Sequence, residues 1–201
     1  MLNQVASAAY HEGGHMTAAV VQGMPIRVTG LHVDLNGNGS ADYFHREPGD
    51  FATDFVDQIE RRRTIIALYA AHEAQRKFYP EVSTDGWTHD LFKVDKLIEE
   101  MGLDKQEAQV TREDLKARAG RLVEKFWTEI EDLAKTLLSR NCVARLPEDT
   151  WGTGSEKRQI PGIEVAEFFR RHGIPAQVVP DGFGNFESKQ IVSFYDSLCE
   201  T

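Results

Sequence analysis

Residues 8–20 read AAYHEGGHMTAAV, and this stretch decides how the chain is expected to fold. Its alanine content favours a helix, and we predict one over residues 3–22. His11 and His15 are four residues apart in the sequence, so they lie on one face of that helix. Two imidazoles on one face can bind the same metal ion, while Glu12 lies one step round the same turn.

This spacing is the HExxH pattern, in which each residue type has a chemical task. Two neutral nitrogen donors hold a zinc ion, which lowers the pKa of a water molecule, and the Glu12 carboxylate accepts the proton during attack on a peptide carbonyl. A helix can also carry these residues without binding a metal. However, three polar groups among alanines and glycines need partners if they are buried. We therefore predict a zinc site on this helix.

A catalytic zinc ion needs a third protein ligand and one open coordination position. Val21 lies six residues after His15, where one zinc-protease pattern has a third histidine. The third ligand must therefore come from another part of the chain. The candidates are Asp90, Glu73, His72 and His89.

The remainder of the chain is expected to be mainly helical, with one small β-hairpin. Residues 26–35 are rich in β-branched side chains, and the Asn-Gly-Asn-Gly turn at 36–39 predicts a return strand over 40–45. Residues 81–88 and 146–161 are expected to be loops. Periodic apolar residues predict further helices over 64–78, 90–101, 111–140, 163–172 and 187–198.

The composition argues against several classes of protein. The chain has 201 residues, with 23 Lys and Arg against 32 Asp and Glu, so its formal net charge is −9. This acidic balance disfavours binding to nucleic acid or to an anionic membrane surface, and no stretch approaches the ~20 apolar residues of a membrane span. Cys142 and Cys199 are isolated and cannot form a disulfide framework. We expect a cytoplasmic protein without nucleic-acid or membrane partners.

The sequence resembles the peptidase domain of the FtsH-type AAA+ zinc metalloproteases. Residues 8–20 are similar to the family's AYHEAGHA helix, and residues 26–44 (IRVTGLHVDLNGNGSADYF) resemble its VTIIPRG…GYT hairpin. The most specific similarity is in residues 80–91 (PEVSTDGWTHDL), which resemble a loop ending in STGASNDI, whose final Asp is the family's third zinc ligand. Residues 130–141 (IEDLAKTLLSRN) resemble its LEALAEALLEKE run.

The resemblance implies a zincin-like domain in which zinc is held by His11, His15 and Asp90, with Glu12 as the base. A short stretch, Ala71-His72-Glu73, resembles the family's AEE sequence, which suggests that Glu73 orients a ligand imidazole. We accordingly divide the chain into a peptidase-like zinc domain, residues 1–145, and a C-terminal extension, residues 146–201, that packs on it.

We expect a zinc metalloendopeptidase that hydrolyses peptides or unfolded segments without ATP, since the sequence has no Walker A motif. An exposed strand edge can hold an extended peptide by backbone pairing. The candidate residues for binding substrate are Ser40, Ala41, Asp42 and Tyr43 on the return strand. Trp87, in the loop before Asp90, could line the substrate cleft or pack in the core. The hairpin could instead only cover the core.

Two alternative functions stay open at this point. The chain could be a zinc-binding regulatory or interaction module without turnover, or a peptidase subunit that relies on a separate ATPase chain. Because the resembled family assembles as hexamers, a homo-oligomer is also among the expected partners, beside a peptide or unfolded protein substrate.

Overall fold

The computed structural model describes residues 2–45, 55–81, 87–143 and 156–179. Within these ranges the chain forms six helices and a small mixed sheet, which confirms the prediction of a mainly helical protein. In chain order the elements are α1 (Leu2–Val21), β1 (Ile26–Asp34), β2 (Gly39–Tyr43), α2 (Phe55–Phe78), α3 (Thr88–Glu99), α4 (Lys105–Lys125), α5 (Trp127–Ser139), β3 (Lys157–Ile160), α6 (Gly162–Arg171) and β4 (Val178–Val179).

Helix α1 lies at the centre of the structure, between α2, α5 and the sheet. Met16, Ala18 and Ala19 on this helix are fully buried. It approaches α2 closely at Gly14, where an added Cβ would lie 2.7 Å from the carbonyl oxygen of Ala70. A residue without a side chain is therefore required for α1 and α2 to pack at this distance, and both helices contribute to the site described below.

The sheet has the order β2-β1-β3, and β4 pairs with β1 in parallel. Strands β1 and β2 form the expected antiparallel hairpin, with Leu31 opposite Ala41. Among the described residues β2 has no strand on its outer side, so it is an edge strand. Asp34 fixes the turn, because its carboxylate accepts hydrogen bonds from the backbone N–H groups of Asn36 and Asn38.

The prediction of one helix over residues 111–140 is wrong. Two helices, α4 and α5, occupy this part of the chain, and they meet at Phe126, whose backbone is not helical (φ −110°, ψ 27°). Helix α4 also begins earlier than predicted, because the Asp104 carboxylate caps it and the Glu107 side chain completes a capping box. The apolar stripe continues across the break, so periodicity alone did not show it.

The predicted loop over residues 146–161 is corrected at its end, where residues 157–160 form β3. This strand pairs antiparallel with β1, with Leu31 opposite Ile160. The following helix, α6, was predicted almost to its bounds, and its Phe169 is buried in the same apolar core as α1 and β1. Residues 156–179 thus share a sheet and a core with the first part of the chain.

Some predictions concern residues outside those that the structure describes. They include the helix over 187–198, most of the loop over 81–88 and the first part of the loop over 146–161. Within the described ranges, no helix combines the length and the apolar character needed to cross a bilayer.

Candidate metal centre

The structure brings together His11, His15 and Asp90, which are far apart in the sequence. Helix α1 carries the two histidines and α3 carries the aspartate in its first turn. The Nε2 atoms of both histidines lie 3.1 Å from Oδ2 of Asp90. One ligand atom from each residue lies within 4.8 Å of the other two, close enough for a single ion to contact all three.

The Nδ1 atom of each of the two histidines has a defined hydrogen-bond partner. His11 Nδ1 donates to Oε1 of Gln75 at 2.9 Å, and His15 Nδ1 donates to the backbone carbonyl oxygen of Ala67 at 3.1 Å. Since an amide or carbonyl oxygen can only accept, the proton of each neutral imidazole is on Nδ1 and the lone pair is on Nε2. In this neutral form both Nε2 lone pairs face the Asp90 carboxylate, where a cation bound between the three groups would use them, whereas a proton on Nε2 would donate to the carboxylate when no ion is bound.

This donor set fits zinc. Two neutral imidazole nitrogens and one carboxylate oxygen are three of the ligands that catalytic zinc sites use, and they leave one position for water or substrate. The hydrogen bonds from Nδ1 to Gln75 and Ala67 are of the kind that orients zinc-binding histidines in proteins. His11, His15 and Asp90 are therefore the residues that would hold the ion.

The groups around the centre keep the Asp90 carboxyl group ionised. Burial opposes ionisation of this carboxyl group, but His15, His11 and His72 outweigh that effect and hold the pKa of Asp90 well below its usual range. Burial lowers the pKa of His15. Burial also acts to lower the pKa of His11, but its contacts with Asp90 and the nearby Glu12 carboxylate raise it overall.

Glu12 lies beside the three ligand residues and is not one of them. Its side chain is directed toward β2, where an added Cβ on Gly39 would lie 2.5 Å from its Cγ. The backbone of Ala41 hydrogen-bonds to its carboxylate. Glu12 is only 7% exposed, and burial raises its pKa to about 7. A carboxylate with a pKa near neutrality is well suited to accept and release a proton.

Strand β2 borders the Glu12 side of the centre. Ser40, Ala41 and Asp42 are half-buried, and the hydroxyl of Ser40 donates to Oδ1 of Asp42 at 2.6 Å. Tyr43 is buried, with its ring 6.4 Å from that of His15. Three of the five candidate substrate-binding residues are therefore partly exposed on the edge strand, whereas Tyr43 is buried behind it.

Trp87 belongs to the surroundings of the ligand residues. Its Nε1 donates to Oε1 of Gln75 at 2.6 Å, and its ring stacks on that of His72 at a centroid distance of 4.9 Å.

Glu73 forms an ion pair with Arg76, and Gln75 is the α2 residue that hydrogen-bonds to His11. The orienting role that the family resemblance suggests for Glu73 is thus filled at His11 by Gln75.

Two of the other candidate ligands occupy different places. His89 is exposed at the start of α3 and is not in the group of ligand atoms. His72 is buried on α2, with Nε2 3.4 Å from Oδ2 of Asp90.

Gln75 is a residue of the centre that the sequence did not predict. Its Oε1 accepts from both His11 and Trp87, and its Nε2 donates to the hydroxyl of Ser7 at 2.8 Å. The one signal in the sequence is its spacing, since it lies three residues after His72 and therefore on the same face of α2.

Comparison with known proteins adds no family to these observations. No protein-family model matches the chain, and no curated protein matches it. The function is therefore argued from the geometry and chemistry of the centre.

Proposed function

We propose that the chain is a zincin-like zinc metallopeptidase that hydrolyses peptide bonds in peptides or unfolded segments. The observation that carries this proposal is the convergence of His11 Nε2, His15 Nε2 and Asp90 Oδ2, with the buried Glu12 carboxylate beside them. The resemblance of the ligand segments to the FtsH-type peptidases supports the same activity.

The ligand residues are prepared for the ion by the protein around them. Gln75 and Ala67 fix the orientation of the two imidazoles, and Asp90 supplies the negative charge. When bound, zinc supplies a Lewis acid that polarises a substrate carbonyl and makes a water molecule more acidic.

Glu12 is proposed as the general base. Its buried position excludes bulk water and raises its pKa to about 7, so it can take a proton from the attacking water and pass it to the leaving amine. The contacts with Gly39 and Ala41 hold the carboxylate between α1 and β2. The proposed base therefore lies next to the strand that is proposed to bind the substrate.

Strand β2 is proposed to bind the substrate. Its outer edge has no strand partner among the described residues, and its Ala41 backbone also contacts the base. An extended peptide that pairs with this edge would pass beside Glu12. Such binding requires an unfolded or short chain, which is why we propose these as the substrates.

The central test compares Glu12→Gln with the wild-type protein. Glutamine has nearly the same size and still accepts a hydrogen bond, but it cannot take up the proton. We expect one zinc ion per chain in both proteins and a loss of hydrolysis by at least ~100-fold in the variant. Zinc is measured by elemental analysis, and cleavage with unstructured casein and a peptide library.

Glu124→Gln is the matched control, because it makes the same change at an exposed carboxylate on α4 that pairs with Lys77. It should retain both zinc and activity. Equal turnover of Glu12→Gln and wild type would contradict the role of Glu12. Wild-type protein that binds zinc without cleaving any substrate would instead support the zinc-binding regulatory or interaction module.

A further inference from the structure

His72 is a buried histidine of α2 that the proposed reaction does not use. It is 5% exposed, and its Nε2 atom has no hydrogen bond of normal geometry among the described residues. The nearest charged group is the Asp90 carboxylate, whose Oδ2 lies 3.4 Å from this atom. Burying a hydrogen-bond donor without a partner is destabilising. The position of His72 Nε2 beside the ligand residue Asp90 therefore requires an explanation.

The plane of the His72 ring is fixed by its neighbours. The ring stacks on Trp87 at a centroid distance of 4.9 Å and an interplanar angle of 11°. It also packs against the ring of His11, with the centroids 5.7 Å apart and an interplanar angle of 27°. These contacts hold the edge that carries Nε2 beside Asp90.

His72 is the one histidine at Asp90 that remains free to donate once a metal is bound. His11 and His15 would then use their Nε2 lone pairs for the ion, and their Nδ1 protons are already shared with Gln75 and Ala67. Neither can hydrogen-bond to the carboxylate in that state. A carboxylate that binds a metal is itself usually held by a hydrogen bond.

We infer that His72 is a positioning residue, whose Nε2–H donates to the Asp90 carboxylate and holds it in the orientation that binds the metal. This inference rests on the proposed zinc centre but not on turnover. His72 is outside the group of atoms that all lie within 4.8 Å of one another, so its place is next to Asp90 and not in the ligand set.

The test uses two substitutions that separate the ring from its N–H group. His72→Phe keeps a ring to stack on Trp87 but removes the donor, whereas His72→Gln supplies an amide N–H at about the position of Nε2. Zinc affinity is measured by competition with a chromophoric chelator. The visible absorption of the cobalt-substituted protein reports the ligand geometry independently of activity.

We expect His72→Phe to bind zinc ~10–100-fold more weakly, the usual loss of affinity when a residue that hydrogen-bonds to a metal ligand is removed. Its cobalt spectrum should also change. His72→Gln should recover most of the affinity and the wild-type spectrum. His172→Phe is the control, because it makes the same substitution at a histidine that packs on Phe168 of α6. It should bind zinc as the wild type does.

Three results would overturn the inference. Wild-type affinity and spectrum in His72→Phe would show that the donor has no effect. Equal weakening in His72→Phe and His72→Gln, to the level of His11→Ala, would make His72 a direct ligand. Wild-type protein that binds no zinc would remove the centre itself, whereas zinc binding without cleavage would refute only the peptidase and leave the comparison valid.

Discussion

Gly39 is the residue at which the hairpin touches the proposed base. A Cβ built on this glycine would lie 2.5 Å from Cγ of Glu12 and 2.8 Å from its Oε1. Real Cβ atoms essentially never lie closer than 3.0 Å to such a neighbour, so a side chain at position 39 must displace either the carboxylate or β2. The absence of a side chain is thus part of the geometry of the base.

We expect Gly39→Ala to keep zinc and to lose hydrolysis on the order of 100-fold, because a displacement of about 1 Å at a reacting group has effects of that size. The measurement is kcat/KM together with zinc content. Gly120→Ala is the control, since its Cβ would meet nothing within 4 Å in α4. That variant should keep its activity and gain about 0.5–1 kcal/mol in stability. Unchanged hydrolysis in Gly39→Ala would show that the contact of β2 with Glu12 has no role in positioning the base.

At the scale of elements, the packing of α1 on α2 determines where the ligands lie. A Cβ added at Gly14 would lie within 3 Å of the backbone of Ala70 and Ala71 and of Cβ of Ala74. The neighbouring Gly13 faces α5, where a Cβ would lie 3.3 Å from the carbonyl oxygen of Ile130. The two adjacent glycines therefore differ in how much space each has.

Gly14→Ala is expected to destabilise the protein by about 1–3 kcal/mol, because the added methyl group has to push two helices apart. It should also weaken zinc binding, since α2 orients both imidazoles. Gly13→Ala meets a milder contact and gains helix propensity, so its change should be smaller. Urea denaturation of the two variants measures the difference. The proposed packing role fails if both variants unfold at the same urea concentration as the wild type.

The sequence allowed the local elements to be predicted better than their partners. Helix α1 and the hairpin follow from the alanines and the turn at 36–39, and both are found in the structure. The strand β3 was missed because its four residues, KRQI, do not alternate and become a strand only by pairing with β1. The break at Phe126 was missed because apolar residues continue on both sides.

The candidate site shows the same limit. The spacing of His11 and His15 is a property of one helix and is visible in the sequence. Asp90 is 79 residues from His11 and was selected only through the family resemblance, since residue type alone left four candidates. The positions of Gln75 and His72 depend on how α2 packs against α1 and α3, which no local pattern contains.

At the scale of the whole molecule, a metal ion would join two helices that lie far apart in the sequence. Two ligands are on α1 and one is on α3, so zinc should bind the folded chain far better than the unfolded chain. A ligand at 100 times its Kd stabilises the folded state by ~2.7 kcal/mol. We expect zinc to raise Tm in calorimetry, and a chelator to reverse this rise.

Asp90→Ala provides the comparison for that measurement, because it removes one of three ligands and leaves α1 intact. Its Tm should respond little to zinc. The same zinc-dependent rise in Asp90→Ala and wild type would place the ion elsewhere and direct attention to His89 or Glu73.

Substrate choice is also a property of the whole molecule. The sequence has no Walker A motif, so we expect this chain by itself to cleave peptides and unfolded proteins independently of ATP. A folded domain is stable by ~5–15 kcal/mol and rarely exposes an extended segment for β2 to bind. A stable reporter, a destabilised form of it and a free peptide are compared with and without ATP. Degradation of the stable reporter that requires ATP would favour a subunit that relies on a separate ATPase chain.

The close approach at Gly14 also restricts how such a sequence can diverge. Position 14 and positions 70, 71 and 74 share one small volume, so a larger residue at any of them must be matched by a smaller one opposite or by a shift of the whole helix. A shift would move Ala67 and Gln75 away from the two imidazoles. In related sequences that keep the two histidines, these four positions should therefore change together or remain small.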